Sequence, residues 1–259
     1  MDKVLYVKEG PVAIIKINRP AAMNAYDADV VSAMGKCFES FDDDGELRVA
    51  ILTGMGEKSF SAGADLKSLH GEQFPGGAAE LWDKDRSYRL GQSIQVRKPV
   101  IAAVNGYCLA GGLELALACD LRIASTSASF GCPEVQRSIL HGYGAMRLVQ
   151  MIPFAVAMQM LLTGERISAQ RAYEAGLISE LVAPDELMPA AMRLANVIAD
   201  NGPLSIKITK ELGWRGLHEH PHEFMRFVAA ALALVHGSED AKEGPAAFAE
   251  KRKPVWRDR

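Results

Sequence analysis

Residues 98–120 read Lys98-Pro-Val-Ile-Ala-Ala-Val-Asn-Gly-Tyr-Cys-Leu-Ala-Gly-Gly-Leu-Glu-Leu-Ala-Leu-Ala-Cys-Asp120. Val100 to Val104 is an apolar run of strand character. It breaks at Asn105-Gly106, passes through Ala110-Gly111-Gly112 and opens an apolar helix whose one acid is Glu114. A strand, a glycine turn and a helix start leave free backbone N–H groups at the positive end of a helix dipole. With a helix beginning at Gly111, Glu114 lies three residues on, on the same face as the Gly111 N–H. An anion-stabilising donor and a carboxylate then share one pocket, which is the outline of an active site.

Outward from this stretch, strand, turn and helix recur. Val12 to Ile17 reads as a buried strand closed by Asn18-Arg19-Pro20. Asp27 caps a helix whose Val30, Val31, Met34, Phe38 and Phe41 recur at helical spacing, ended by the acidic run Asp42-Asp43-Asp44-Gly45. Val49 to Thr53 is the next strand, followed by Gly54, Gly56 and Ser61-Ala62-Gly63-Ala64-Asp65. Residues 68–97, polar and broken near Phe74-Pro75-Gly76-Gly77, fit a mobile loop leading to a helix. Asp120 to Ala124 is a short strand and Phe130-Gly131-Cys132-Pro133-Glu134 a turn. After residue 140 strands nearly vanish. Ser168 caps a short helix closed by Gly176, Pro184 precedes another, and 203–217, 222–236 and 239–251 read as helices. This is the order of an α/β architecture with parallel pairing, followed by a helical C-terminal third.

The whole-chain numbers narrow the function classes. With 259 residues, 49% hydrophobic and 24% charged, the chain is ordinary for a globular protein with a sizeable core. A formal net charge of -3 argues against a nucleic-acid surface. The four cysteines, Cys37, Cys108, Cys119 and Cys132, lack Cys-x-x-Cys spacing, so they read as buried reduced thiols. No uncharged stretch spans a bilayer and the N-terminus lacks a secretory core, so the expected location is the cytoplasm. His218-x-His220-x-His222 has a metal-like look, but Pro221 interrupts it and a solvated inter-helix segment is the better reading.

Two glycine-rich segments each follow a strand directly: Ser61 to Asp65 and Leu109 to Gly112. Neither supplies the Gly-x-Gly-x-x-Gly of a dinucleotide loop, and there is no Gly-Lys-Ser/Thr of a P-loop. One such segment alone is explained by close packing of a helix on a sheet; two suit an oxyanion hole of two backbone N–H groups. Glu114, between Leu113 and Leu115, is either a functional carboxylate or a buried acid paired with a base. Glu134, after Pro133 in a turn, has a surface residue as its ordinary reading.

Together, Asn18-Arg19-Pro20 with Asn24-Ala25, Phe60-Ser61-Ala62-Gly63-Ala64-Asp65-Leu66-Lys67, Asn105 to Asp120, Phe130-Gly131-x-Pro133-Glu134, Leu162-Thr163-Gly164 and the C-terminal Glu239 to Arg252 resemble the crotonase (enoyl-CoA hydratase/isomerase) superfamily. The resemblance covers essentially the whole chain, with motifs in family order and spacing. It implies a spiral of ββα units over residues 1–195, holding the CoA and acyl site, and a C-terminal helical region over 196–259 that supports a homotrimer or a hexamer of paired trimers.

The resemblance also implies roles. Ala64 and Gly111 match the oxyanion-hole amides that hold a thioester carbonyl. Glu114 and Glu134 match two glutamates flanking one water: Glu114 helps activate the water that attacks C3, and Glu134 gives the proton to C2. Two close carboxylates share one proton, which supplies the acid. Gly142 matches a glycine whose N–H places that water. For the CoA, the backbone around Ala22, Ala62, Asp65 and Leu66 matches the adenine and pantetheine groove, and Lys58, Lys67 and Lys251 match basic positions near the phosphates. Each lysine taken alone reads equally as a surface residue. No metal or other cofactor is implied; the acyl-CoA is the substrate.

The chain also departs from the pattern. His141-Gly142-Tyr143-Gly144-Ala145 stands where hydratases commonly have Pro-Gly-Ala-Gly-Gly, and Arg137 stands in a usually apolar stretch. The favoured reading is a reshaped acyl pocket rather than extra acid/base groups. The expected activity is hydration of a trans-2-enoyl-CoA to a 3-hydroxyacyl-CoA. Alternatives on the same fold are a carnitinyl-CoA-type dehydratase, which the C-terminus particularly resembles, an isomerase, hydrolase or decarboxylase, and a non-enzymatic RNA-binding or scaffold relative. The latter is disfavoured by charge and by the two retained glutamates.

Overall fold

Val4–Glu9 (β1), Val12–Ile17 (β2), Val49–Gly54 (β3), Val100–Val104 (β5), Leu121–Ser125 (β7) and Glu180–Val182 (β10) form a six-stranded sheet in the order β1-β2-β3-β5-β7-β10. Only the β1–β2 pair is antiparallel. The computed structural model describes residues 2–65 and 96–259. Most of the loop expected over 68–97, together with Leu66 and Lys67, lies outside the described residues.

The near-continuous apolar runs of β2, β3 and β5 follow from burial on both faces. Alternate residues serve the two sides. Ile14, Ile51 and Ile101 face Leu187, Ala190, Ala191 and Ala195 of the helix Leu187–Ala199 (α6), which lies across β2, β3, β5 and β7. Ile15, Leu52 and Ala102 face the larger core, where Phe38 and Phe41 of the helix Ala28–Asp43 (α1) meet Phe60 and Phe130.

Phe60 and Phe130 come from a second, four-stranded sheet of Ser59–Ser61 (β4), Tyr107–Leu109 (β6), Ser129–Gly131 (β8) and Arg166–Ser168 (β9), in the order β4-β6-β8-β9. Each of β3, β5 and β7 therefore runs on within a few residues into a short strand of this sheet. After β6 comes the helix Gly111–Ala118 (α2), and after β8 the 3-10 helix Pro133–Arg137. Among the described residues, strand, short strand and helix follow one another in the turns that begin with β5 and β7, as in the ββα spiral that the resemblance implies. Phe130-Gly131, expected in a turn, is instead strand, with Phe130 fully buried. The other short elements are the helices Gly142–Met151 (α3), Phe154–Thr163 (α4) and Ala169–Glu174 (α5). Two expected caps form: Asp27 accepts from Val30 N–H at 3.0 Å, and Ser168 from Arg171 N–H at 3.2 Å.

The helical segment expected from residue 196 begins inside α6 and continues as Pro203–Arg215 (α7), Pro221–His236 (α8) and Asp240–Ala249 (α9). Asp120 ties α7 to the sheet. It accepts from Val100 N–H at 2.8 Å and from Trp214 Nε1–H at 2.7 Å, and pairs with Lys210 at 2.8 Å. His218, His220 and His222 are exposed at the α7–α8 junction, where His220 Nδ1 accepts from His222 N–H at 3.4 Å; no metal-ligand cluster occurs among the described residues. All four cysteines are free thiols. No helix among the described residues is long and apolar enough to cross a membrane.

Candidate active site

The two glycine-rich segments meet. Tyr26 N–H donates to Gly63 O, and Asp65 N–H donates to Tyr26 O, both at 2.9 Å, which forms a single parallel bridge between Tyr26 and Ala64. That pattern turns the Ala64 N–H to the opposite side of its strand. Gly63 has φ +88°, and a Cβ there would lie 2.9 Å from both Gly111 N and Ala110 Cβ. The backbones of the two segments are thus in contact. Among the described residues neither Ala64 N–H nor Gly111 N–H has a hydrogen-bond acceptor. Ala110, the residue before α2, has φ 54° and ψ -133°, a conformation that costs a non-glycine residue about 1–3 kcal/mol and so marks a place where backbone direction matters.

The Asn18 to Ala25 motif braces this pair. Asn24 is fully buried, accepts from Arg19 N–H at 3.0 Å and donates to Ser59 O at 2.6 Å and Met55 O at 3.0 Å. Arg19 reaches Ala25 O at 2.7 Å and Asp65 Oδ2 at 2.9 Å, which fixes the residue after Ala64. Gly111 is required by a neighbour rather than by its backbone angles. A Cβ there would meet the Tyr26 hydroxyl at 1.7 Å.

Glu114, in the first turn of α2, accepts from Gly144 N–H at 2.9 Å through Oε1. Glu134, on the 3-10 helix after β8, has its Oε1 2.6 Å from His141 Nδ1. The same nitrogen lies 3.9 Å from Glu114 Oε1. The two carboxylates therefore flank one imidazole. Their Oε1 atoms are no further apart than those two distances combined, near enough for both carboxylates to address one substrate. His141 is buried, and Glu134 Oε2 and His141 Nε2 are buried with no partner among the described residues.

Two neighbours register the negative charge gathered here. Burial pushes the Tyr26 phenol well above its ordinary range, and Glu114 and Glu134 add to the shift. Burial pushes the Cys132 thiol up to about 12, again with Glu134 and Glu114 contributing. Tyr26 therefore keeps its hydroxyl proton across ordinary pH.

The expected site residues distribute as follows. Ala64, Gly111, Glu114 and Glu134 come together, joined by Ala62 and Asp65 on the same loop and by Ala22, whose 3-10 turn lies beside it: Ala62 N–H donates to Met23 O at 3.1 Å. Gly142 opens α3, two residues before the amide that bonds Glu114. Lys58 is exposed at the start of β4. Lys251, just past α9, is exposed with φ 53°, on a helix that packs chiefly against α8.

Tyr26 and Gly144 were given no role by the sequence, and His141, expected to reshape the acyl pocket, instead lies against the Glu134 carboxylate. The departure at 141–145 is the signal that points to His141. Tyr143 makes no hydrogen bond to either carboxylate among the described residues, and burial pushes its phenol up, with the nearby Arg147, which stacks 4.3 Å from the Trp214 ring centroid, pulling it down. Arg137 is exposed and donates to Pro133 O at 3.3 Å, which explains its place in a stretch expected to be apolar.

Residues 8–259 match the family described as enoyl-CoA hydratase/isomerase. The chain belongs to that family. It is 43% identical to carnitinyl-CoA dehydratase of Salmonella typhi, over 97% of each chain. Among solved structures, the fold is similar to enoyl-CoA hydratase from Bacillus anthracis, with TM-score 0.92 and 34% identity over 100% of both chains. It is also similar to enoyl-CoA hydratase from Mycobacterium tuberculosis H37Rv, with TM-score 0.89 and 39% identity over 99% of both. The chain is accordingly a crotonase-fold enzyme of acyl-CoA chemistry.

Proposed function

We propose that this enzyme interconverts a trans-2-enoyl-CoA and a 3-hydroxyacyl-CoA by syn addition or loss of water. The observation that carries the reading is the pair of carboxylates, Glu114 held by Gly144 N–H and Glu134 against His141 Nδ1, beside two backbone amides without acceptors among the described residues. The thioester oxygen takes those two N–H groups, and negative charge that develops on it as an enolate is met without reorganisation. Glu114 removes a proton from water as its oxygen bonds to C3. The π pair moves to C2, and Glu134 delivers a proton there from Oε2. One carboxyl gains a proton and the other loses one, so a single proton exchange restores the site. The CoA tail supplies binding energy that orients the acyl group between the carboxylates. Ala22, Lys58, Ala62, Asp65, Leu66, Lys67 and Lys251 are the proposed CoA contacts, and Gly142 the proposed water-positioning residue.

A carnitinyl-CoA dehydratase reading is favoured by the 43% identical relative, and it uses the same residues in the reverse direction. Loss of enoyl absorbance with short, medium and branched 2-enoyl-CoAs, beside its appearance with carnitinyl-CoA, separates the two. In either case Glu114→Gln and Glu134→Gln each reduce kcat by at least about 100-fold. Wild-type inactivity on every one of these thioesters would sink the proposal. The same reading includes a homotrimer or hexamer. Exposed Leu140, Phe154, Leu234 and Phe248 support an apolar contact surface, and light scattering on purified protein gives the mass that tests it.

A further inference from the structure

We propose that His141 is a positioning residue that sets both carboxylates at once and fixes Glu134 Oε2 as the oxygen that exchanges its proton with substrate. The inference rests on the hydration reading and adds to it a residue specific to the unusual His141-Gly142-Tyr143-Gly144 stretch. His141 Nδ1 is 2.6 Å from Glu134 Oε1, so one proton lies between them. The other ring nitrogen decides which partner holds it. Nε2 is buried with no partner among the described residues, and it rests on Gly144, where a Cβ would come within 1.9 Å of it.

A proton on Nε2 would be an orphaned buried donor, the rarer and costlier case; a bare lone pair is tolerated better. The proton therefore sits on Nδ1, which donates to Oε1. The geometry also excludes His141 as a relay to solvent, because its outer nitrogen ends against backbone. With Oε1 accepting in both ionisation states, Glu134 gives and takes its proton through Oε2, the buried oxygen that has no protein partner among the described residues. As Glu134 ionises, the bond from Nδ1–H becomes charge-assisted and strengthens, which favours the transition state over the ground state. The same ring supports Gly144, whose N–H donates to Glu114 at 2.9 Å. One imidazole thereby couples the two halves of the acid/base pair.

The test compares His141→Leu, His141→Asn and His141→Gln with wild type on the best enoyl-CoA substrate. The amide nitrogen of Asn takes the place of Nδ1, whereas that of Gln lies one bond further out. His141→Leu should lower kcat about 10- to 100-fold, the loss of one hydrogen bond to a charged group, with KM changed less than about threefold. His141→Asn should recover most of kcat and His141→Gln should not. Equal kcat for the Asn and Gln variants, or a Leu variant within about threefold of wild type, overturns the proposal. If the Leu variant does not fold, the Asn and Gln pair carries the test alone. Imidazole 15N NMR of the resting enzyme gives a readout independent of turnover. Nδ1 should be protonated and Nε2 bare, with the Nδ1 signal displaced in Glu134→Gln. A protonated Nε2 in wild type defeats the positioning role whatever the reaction. The expected tautomer in an enzyme that hydrates no enoyl-CoA upholds the pair and defeats only the hydration reading.

Discussion

Gly111→Ala tests whether the contact between the Tyr26 hydroxyl and the start of α2 controls turnover. The new Cβ would fall 1.7 Å from Tyr26 Oη and 2.8 Å from Cζ, whereas such contacts do not come within 3.0 Å. Either the phenol or the first turn of α2 must therefore move by roughly 1 Å or more, and the phenol is buried with little room to retreat. A displacement of that size in a catalytic donor costs about 100-fold in rate, or about 2.7 kcal/mol of transition-state stabilisation. Overpacking lowers folding stability by about 1–3 kcal/mol in addition. Tyr26→Phe removes the atom at 1.7 Å and leaves Cζ as the nearest contact, which a shift of a few tenths of an ångström relieves. Gly111→Ala should then cost less than about 10-fold in the Tyr26→Phe background. Steady-state hydration rates for the four proteins of this cycle give the coupling, with thermal melts alongside. A Gly111→Ala enzyme within about threefold of wild type, or a double variant no faster than Gly111→Ala alone, refutes the reasoning.

Asp120→Ala leaves Lys210 and the Trp214 N–H without their shared acceptor and should destabilise the fold by about 2–4 kcal/mol, lowering Tm by roughly 5–10 °C, with Asp120→Asn milder. Arg252, aided by Val255 N–H, holds the Glu243 carboxyl down from its ordinary 4.5 to about 2. A lowered folded pKa means that this anchor of the C-terminal tail is fully present above about 4.5 and is lost as pH falls toward 2. The Trp256 emission, taken as the difference from Trp256→Phe, should change across that window in wild type and not in Glu243→Gln. Burial pushes Cys119 and Cys132 up to about 12 and Cys108 well above its usual range. At pH 8 only about one thiol in ten thousand is ionised at a pKa near 12, so iodoacetamide should leave these three unmodified in the native protein and alkylate them after denaturation.

What the sequence made legible was whatever depended on a local pattern. The apolar run of β5, the Gly111 start of α2 and the Asp27 cap are each written in a few adjacent residues. Glu114 could be paired with Gly111 because both sit in one helical turn. Elements whose stability comes from partners were not legible. β1 has mostly half-exposed and exposed residues and is held by pairing with β2. β6 is three residues long and gains its identity from β4 and β8 on either side. α3 and α4 begin at Gly142 and just after Pro153, residues that local reading treats as breaks; α3 packs against α2, and α4 against α3 and the 3-10 helix after β8. The His141–Glu134 bond joins residues on either side of a 3-10 helix end at Arg137, where the chain turns at Ser138 and no continuous helix relates the two positions.

The Ala64 and Gly111 amides have a different standing from the glutamates under mutation. A single base change can replace Glu114 or Glu134, but every residue except proline carries an N–H, so no ordinary substitution at 64 or 111 deletes the donor outright. What encodes their approach is the lack of side chains at Gly63 and Gly111 and the atypical turn at Ala110. Under the proposed mechanism the donor pair is therefore buffered against point substitution in a way that the two carboxylates are not.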